Sequence, residues 1–519
     1  MREEKHMKKH TKKLISLVLT FVMVFAMTAT VFAAPADTTI TVGEGDNRTY
    51  DVYQIFTGDL SGDVLSNVKW GKNGTGTLGE AVPQTTLDAV VAANSITAED
   101  DKAAAIAEYV DLESEKFGTV SAGEPLTAPT GYYLFKDVTV PAPGQAYSLY
   151  VVKIVGPTTF APKTGEVESF KKVDDKNDSN TTEDTVAWQD SADYDMGDMV
   201  PFQLTGTLPE DYDNYDAYYY AFHDTECEGL TFDAASVKVF VDGNEITEGF
   251  EVVTEGIKES ETFEVRFANL KDIAQVNKNS VITVEYFSEL NSGAVIGAAG
   301  NPNEMYLEYS NNPNSEWAPS WGEDNEDNDN DGQTDEEDEK EGPTGETPVD
   351  KVIVFTYKVV VNKVHQTGVD EEGNPVYEAL EGAGFTLFKK DAATGEYVAV
   401  GEELKGDAMT TFSWERIDDG DYRLEETTTP AGYNTIAPIE FTVSATHELE
   451  SAAPQLLTLE GGNMFTGDVE ALTLTADVVN QAGTTLPETG GVGTTMIYVA
   501  GAVLVLGAGV VLVTKKRAA

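Results

Sequence analysis

The run Val281-Ile282-Thr283-Val284-Glu285-Tyr286-Phe287 alternates between apolar and polar side chains with a period of two. β-Branched and aromatic residues with that period are typical of a β-strand that buries one face. Similar runs recur along the chain, for example at 150–155 and 357–361, and Gly, Asn, Asp and Pro separate them. The pattern predicts an all-β protein built of stacked β-sandwiches.

The N-terminus has the three parts of a secretory signal peptide. Residues 1–13 are rich in Lys and His, an apolar run follows from Leu14 to Phe32, and the small residues Ala33 and Ala34 precede a proline. This order predicts a signal peptide at 1–33 that is cleaved after Ala33 or Ala34. The alternative is an uncleaved membrane anchor, which the small-residue cleavage site disfavours.

The C-terminus carries a pentapeptide, an apolar run from Met496 to Val513 and a basic tail, in that order. The pentapeptide is Leu486-Pro487-Glu488-Thr489-Gly490. Together the three parts, at 486–519, resemble the sorting signals of sortase substrates on Gram-positive cells. The resemblance implies that a sortase cleaves between Thr489 and Gly490 and passes the Thr489 carbonyl to an amine. The basic tail would stay cytoplasmic, with the preceding chain outside.

About 450 residues lie between these two ends, enough for three domains of ordinary size. Residues 86–115 have apolar side chains at helical spacing, so we expect one or two helices added to the first domain. The expected organisation is tandem immunoglobulin-like β-sandwiches with an acidic linker, with boundaries at 36–162, 166–316, 317–349 (the linker) and 350–483.

The tract from Glu323 to Glu341 has almost no apolar residues and is expected to form no core. Inside it, Asp327, Asp329 and Asp331 alternate before Gly332, as in the first half of a calcium loop. The twelfth position is Asp338 rather than Glu, and neither flank has helical periodicity. We therefore favour a solvated acidic segment over a calcium site.

Composition excludes several classes of function. The net charge of −56 disfavours binding to nucleic acid. Cys227 is the only cysteine, so an intramolecular disulfide is impossible. The histidines that remain after signal cleavage are scattered, which predicts neither a zinc site nor a Cys/His nucleophile pair. Apart from the weak calcium candidate, we expect no metal and no cofactor.

The segment Phe160-Ala161-Pro162-Lys163 lies at the boundary between the first two domains. It resembles the end of the pilin motif in Gram-positive shaft pilins, although the upstream Trp of that motif is replaced, with Tyr147 the nearest counterpart. The resemblance implies that the Lys163 amine accepts the Thr489 carbonyl of another subunit. The alternative is an ordinary solvated lysine.

The third domain resembles the B-type repeat of collagen-binding adhesins. The resemblance lies in the strand at 357–364, in the E-box from Tyr422 to Thr427 with Pro430-Ala431-Gly432-Tyr433, and in Val478-Val479-Asn480. It implies an intramolecular isopeptide bond between Lys363 and Asn480, promoted by Glu426. A desolvated lysine can attack as a neutral amine, and a buried carboxylic acid can polarise the amide and help to expel ammonia. Glu425 is the alternative acid.

In the second domain, Lys171 shares a face with Val173, Asn311 shares one with Leu307 and Tyr309, and Asp224 lies in Phe222-His223-Asp224-Thr225. With these residues the domain resembles the A-type sandwich of shaft pilins, in which the acid is an aspartate. This resemblance implies a bond between Lys171 and Asn311, promoted by Asp224. The alternatives are the neighbouring residues Lys172, Asp175 and Asn312, or a surface lysine and a turn asparagine without any bond. The first domain has no lysine in its early strand, 50–56, and no such bond is expected there.

Together these resemblances imply a major shaft pilin rather than an enzyme. Its partners would be a pilus-type and a housekeeping sortase, copies of itself, peptidoglycan, and tip and basal pilins. The alternative function is a monomeric wall-anchored adhesin of the same architecture, which would not need an acceptor at Lys163.

Overall fold

The computed structural model confirms the all-β prediction, since pairs of packed sheets build three domains in succession. The residues described are 37–43, 45–61, 64–155, 158–160, 165–176, 187–314, 344–483 and 501–506. None of the helices formed by these residues has the length and apolarity needed to span a membrane.

The first domain combines a three-stranded sheet with a five-stranded sheet. Its strands are β1 (Asp37–Val42), β2 (Thr49–Ser61), β3 (Val64–Trp70), β4 (Gly118–Ser121), β5 (Leu126–Pro129), β6 (Gly131–Asp137), β7 (Val151–Val155) and β8 (Thr158–Phe160). The small sheet has the order β5-β1-β8, and the larger has the order β3-β2-β6-β7 with β4 beside β2. Both faces of β2 are buried, because Val52 packs in one apolar cluster and Ile55 in the other.

Two helices cover one face of the larger sheet, as expected. They are α1 (Gln84–Ala92) and α2 (Glu99–Ala107), and a short 3₁₀ turn, Ala93–Ser95, follows α1. Leu87 and Val90 share one side of α1 because they are three residues apart, and both are buried in the cluster that also contains Ile106 of α2.

The second domain packs a six-stranded sheet on a seven-stranded sheet. Its strands are β9 (Ser169–Asp174), β10 (Trp188–Gln189), β11 (Ser191–Asp193), β12 (Met199–Gly206), β13 (Tyr220–Glu226), β14 (Leu230–Val241), β15 (Asn244–Ile246), β16 (Glu251–Val253), β17 (Phe263–Phe267), β18 (Ile282–Leu290), β19 (Asn301–Ser310), β20 (Thr344–Glu346) and β21 (Asp350–Phe355). The sheet orders are β10-β9-β12-β18-β14-β15 and β11-β21-β19-β13-β17-β16, with β20 beside β19. Single 3₁₀ turns lie at Tyr212–Asn214 and Leu270–Asp272.

Strand β21 corrects the expected boundary between the second and third domains. The sequence predicts that residues 344–349 belong to the linker and 350–355 to the third domain, yet β20 and β21 pair with β19 and complete the second sandwich. Val352 and Val354 pack in the second core, whereas Ile353 and Phe355 pack in the third. The alternation of side chains along one strand therefore serves two domains at once.

The third domain is a sandwich of a five-stranded and a six-stranded sheet. Its strands are β22 (Tyr357–Val369), β23 (Pro375–Ala379), β24 (Gly384–Lys390), β25 (Tyr397–Ala399), β26 (Leu404–Lys405), β27 (Thr411–Ile417), β28 (Gly420–Thr428), β29 (Ile439–His447), β30 (Leu456–Glu460), β31 (Thr466–Asp468) and β32 (Thr473–Asn480). One sheet has the order β23-β22-β32-β31 with β27 beside β22, and the other has the order β25-β24-β28-β29-β30 with β26 beside β24. The first strand, β22, thus runs parallel to the last, β32.

Candidate functional site

The third domain holds a buried cluster of a lysine, an asparagine and a glutamate. Lys363 lies on the same face of β22 as the buried residues Val359 and Val361, as the alternation predicts. Asn480 ends the neighbouring strand β32, and Glu426 reaches the cluster from β28 in the opposite sheet. The side chains of Lys363 and Glu426 are inaccessible to solvent.

The contacts within this cluster link all three side chains. The Lys363 Nζ donates a hydrogen bond to the Asn480 Oδ1. The Asn480 Nδ2 donates to the Glu426 Oε1 over 2.8 Å, and the Lys363 Nζ lies 3.2 Å from that same oxygen. Burial lowers the pKa of Lys363, although the charge of Glu426 opposes the shift. The lysine is therefore shifted toward the neutral amine that nucleophilic attack requires.

Glu426 and Glu425 point in opposite directions because they are adjacent on a strand. The Glu425 carboxylate lies 2.8 Å from the Arg423 Nε at a partly exposed position. Glu426 Oε2 instead accepts a hydrogen bond from the backbone N–H of Ile436 over 3.1 Å, which fixes the carboxyl in the core. Of the two acids considered from the sequence, Glu426 is the one beside Lys363.

In the second domain, Lys171 and Asp224 meet in the core. Both side chains have no solvent exposure, and the Lys171 Nζ donates to the Asp224 Oδ2. The Tyr286 hydroxyl accepts a hydrogen bond from the Lys171 Nζ over 2.8 Å and donates one to the Asp224 Oδ2 over 2.9 Å. The pair predicted from the sequence is thus brought together, with a tyrosine that the sequence analysis did not identify.

The amide in this cluster belongs to Asn303, which corrects the choice of Asn311. The Asn303 Nδ2 donates to the Tyr286 hydroxyl over 2.9 Å, and Asn303 is fully buried. Asn311 lies eight residues further along, about 26 Å away at a rise of about 3.3 Å per residue. The Asn311 Nδ2 donates a hydrogen bond to the backbone carbonyl oxygen of Thr344. The backbone carbonyl oxygen of Asn311 accepts one from the backbone N–H of Tyr147 in the first domain. Asn311 therefore lies at the junction with the first domain.

Burial shifts the charged groups of the second cluster toward their neutral forms. It lowers the pKa of Lys171 and raises the pKa of Asp224, although each opposes the shift of the other. Burial and the charge of Asp224 also raise the pKa of the neighbouring Glu226 to about 7. A neutral amine beside a protonated acid is the combination that amide exchange requires.

The alternative residues of the second domain lie outside this cluster. The Lys172 Nζ contacts the Asp190 and Glu450 carboxylates, and the Asn312 Oδ1 accepts from Asn314. Asp175 lies near His447 of the third domain. Lys172 and Asp175 thus belong to the contact between the second and third domains.

Other predicted site residues lie outside the described part of the chain. They are Lys163, the motif residues Leu486, Pro487, Glu488, Thr489 and Gly490, and the calcium candidates Asp327, Asp329 and Asp331. The described chain reaches Phe160 at the end of β8, which pairs in parallel with β1, and resumes at Gly165.

Two family models match parts of the chain. Residues 362–453 match a prealbumin-like fold domain, and residues 478–519 match the LPXTG cell wall anchor motif. The first match covers most of the sandwich that contains Lys363 and Glu426. The second confirms the sorting motif proposed from the sequence. The chain is a secreted surface protein anchored to the cell wall of a Gram-positive bacterium.

The chain is also similar to a surface protein and to pilins of Gram-positive bacteria. The trypsin-resistant surface T6 protein of Streptococcus pyogenes serotype M6 is 26% identical over 245 residues, which cover 46% of this chain and 40% of that protein. The structure of the T6 backbone pilin of that serotype has a TM-score of 0.50 and 18% identity, covering 88% of this chain and 100% of that one. Full-length SpaD, a major pilin of Corynebacterium diphtheriae, has a TM-score of 0.45 and 13% identity, covering 86% and 98%. The likeness to the T6 backbone pilin shows a shared three-domain fold, and this chain matches less than half the length of the curated T6 protein.

Proposed function

We propose that this chain is the shaft subunit of a covalent surface pilus, stiffened by isopeptide bonds that it forms itself. The observation that supports the self-made bonds best is the contact of one Glu426 oxygen with both the Lys363 amine and the Asn480 amide nitrogen. Polymerisation is supported by the anchor motif at the end of a chain with a modular pilin-like fold.

The reaction in the third domain exchanges one amide for another. The neutral Lys363 amine attacks the side-chain carbonyl carbon of Asn480, and the Nδ2 of Asn480 leaves as ammonia. One proton must move from the lysine nitrogen to the departing nitrogen. Glu426 Oε1 contacts both nitrogens, so it can take the proton from one and deliver it to the other. The rigid sandwich supplies the proximity that lets an unreactive amide react once.

The second domain would join Lys171 to Asn303 by the same exchange. Asp224 contacts the lysine amine directly, and the Tyr286 hydroxyl connects this acid to the Asn303 amide nitrogen. A tyrosine hydroxyl has one proton to donate and can accept hydrogen bonds, so it can relay a proton between the two groups.

Sortases would make the bonds between subunits. A pilus-type sortase cleaves after Thr489 and transfers its carbonyl to the Lys163 amine of another copy, and a housekeeping sortase attaches the finished shaft to peptidoglycan. Tip and basal pilins would use the same chemistry. The nucleophilic cysteine belongs to the sortase, so this chain is a substrate rather than an enzyme.

Replacing the acceptor lysine tests the shaft role against the adhesin alternative. In the native cell, Lys163→Ala should abolish the ladder of high-mass species on a denaturing gel and leave wall-anchored monomer, because only the acceptor amine is lost. Lys153→Ala, at a lysine of β7, is the matched control and should keep the ladder. A ladder that persists in Lys163→Ala would assign the acceptor to another lysine, and a wild-type chain without any ladder would favour the monomeric adhesin.

A further inference from the structure

A different buried cluster lies between the second and third domains. It consists of Asp175, which follows β9, Asp193 at the end of β11, and His447 at the end of β29. One donor atom from each residue lies within 4.8 Å of the other two. The side chains of Asp193 and His447 are each only 5% exposed. Two carboxylates from one domain thus face a histidine of the other.

The hydrogen bonds of Ser191 determine which imidazole nitrogen faces the carboxylates. The Ser191 Oγ donates to the Glu448 carbonyl oxygen over 2.6 Å and contacts the His447 Nδ1 at 2.7 Å. A serine hydroxyl has only one proton, so it must accept from the Nδ1–H. The Nε2 of His447 is therefore the atom directed toward Asp175 and Asp193. Histidine ligands of metals are held in this way by their second nitrogen.

The distances around the Nε2 suit a metal better than direct hydrogen bonds. The Nε2 lies 3.4 Å from the Asp175 Oδ2 and 3.7 Å from the Asp193 Oδ1. A charge-assisted N–H···O bond is shorter, about 2.7–2.9 Å. Two ligand atoms that each lie about 2.0–2.2 Å from a tetrahedral zinc ion are about 3.3–3.6 Å apart. The observed spacing leaves room for such an ion between the three atoms.

Backbone hydrogen bonds orient both carboxylates. The Asp193 Oδ2 accepts from the Asp419 N–H, and the Asp175 Oδ1 accepts from the Asp193 N–H, each over 3.2 Å. In both residues the other oxygen is the one turned toward His447. This support from surrounding groups is typical of metal ligands.

The Tyr357 hydroxyl also faces this cluster. Tyr357 is fully buried, and burial and the nearby charge of Asp193 raise its pKa. A hydroxyl in this position can donate a hydrogen bond to a water molecule or hydroxide on a metal.

We propose that Asp175, Asp193 and His447 bind a zinc ion that ties the second domain to the third. One imidazole nitrogen and two carboxylate oxygens suit a divalent first-row metal, with the fourth position left for water near Tyr357. Asp175 is partly exposed and provides an entry path. The site revises the expectation from the sequence that the scattered histidines bind no zinc.

The buried His223 offers a matched control. Its Nδ1 lies 3.1 Å from Glu261 and its Nε2 lies 3.1 Å from Glu308. Although burial opposes the charged ring, hydrogen bonds to Glu261, Glu264 and Glu308 raise the pKa of His223 to about 10. Both nitrogens act as donors to carboxylates there, so neither is free to bind a metal.

Zinc titration of the mature chain, after treatment with a chelator, tests the site. Calorimetry should show one zinc ion per chain, and cobalt in its place should give the strong visible absorption of a tetrahedral complex. His447→Gln should abolish both signals, and Asp175→Asn, at the more exposed ligand, should weaken binding by about tenfold or more. The titration uses mildly alkaline buffer, because imidazole binds zinc only in its neutral form.

Two controls separate this site from other sources of zinc binding. His223→Gln and a chain that lacks residues 323–341 should both bind zinc as the wild type does. The proposal is overturned if the mature chain binds no zinc, if His447→Gln and Asp175→Asn both bind it normally, or if binding disappears with the acidic tract. Since none of these measurements involves isopeptide formation or polymerisation, the outcome is independent of the proposed function.

Discussion

The second and third domains bury the same kinds of group but connect them differently. In the third domain, one oxygen of Glu426 contacts both the lysine amine and the amide nitrogen. In the second, Asp224 contacts Lys171 and reaches the amide of Asn303 through the Tyr286 hydroxyl. The comparison indicates that an aspartate, although its side chain is shorter than that of glutamate, can be connected to both the amine and the amide when a tyrosine hydroxyl lies between the acid and the amide.

Removing Glu426 should have the largest effect. The wild-type mature chain should be lighter than its sequence by two ammonia molecules, and Glu426→Ala by only one, because the proton relay of the third domain is lost. A cross-link across the 117-residue separation of Lys363 and Asn480 contributes about 5 kcal/mol in the chain-entropy model, so the melting temperature should also fall.

Glu425→Ala is the control for that experiment. This variant should still lose two ammonia molecules, because the Glu425 carboxylate faces Arg423 rather than Lys363. A Glu426→Ala chain that still lacks two ammonia molecules would reassign the acid. A wild-type chain whose mass equals that of its full sequence would show that neither isopeptide bond forms.

Replacing Asn303 of β19, or Asn311 just after that strand, tests the second domain. Asn303→Ala should remove one ammonia loss while the third domain keeps its own, since Asn303 is the amide beside Tyr286. Asn311→Ala should keep both losses, because its amide bonds to Thr344. The reverse result, measured by intact mass and by mapping of the branched peptide, would restore Asn311 as the partner.

Tyr286→Phe should have the smallest effect and separates the two mechanisms. Removing the hydroxyl should slow bond formation in the second domain, by up to about 10²-fold if the relay carries a general acid–base role, and leave the third domain unchanged. The time course of ammonia loss, followed from a chain that is produced unfolded and unbonded and then allowed to fold, measures both rates in one sample when it is resolved by peptide mapping. Equal rates in Tyr286→Phe and wild type would contradict the relay.

The two sites also differ in how much of them the sequence could predict. The cluster of the third domain was predictable because the E-box is a continuous segment of the sequence. The alternation in β22 also places Lys363 on the same face as Val359 and Val361. In the second domain, Asn303 and Asn311 are eight residues apart, so a period of two in the sequence predicts the same face for both, although β19 ends before Asn311. Choosing between them requires knowing which one lies opposite Lys171 in the other sheet, and alternation along a single strand does not contain that information.

The fold was predicted better than its boundaries. Periodicity identified the sandwiches and the helices of the first domain. The apolar run from Val352 to Phe355 does not itself show that alternate side chains enter two different cores. The zinc candidate was missed for a similar reason, since Asp175, Asp193 and His447 are distant in sequence and meet only where two domains touch.

Because β21 contributes side chains to both cores, we expect the second and third domains to unfold as one cooperative unit. Unfolding of the second sandwich would remove Ile353 and Phe355 from the third core. Unfolding of the third sandwich would expose the same two side chains to solvent. A break in either domain therefore weakens both, and the pair should melt in a single transition. For a protease, the exposed polar loops of this half of the chain offer entry, but the segment between the two domains does not.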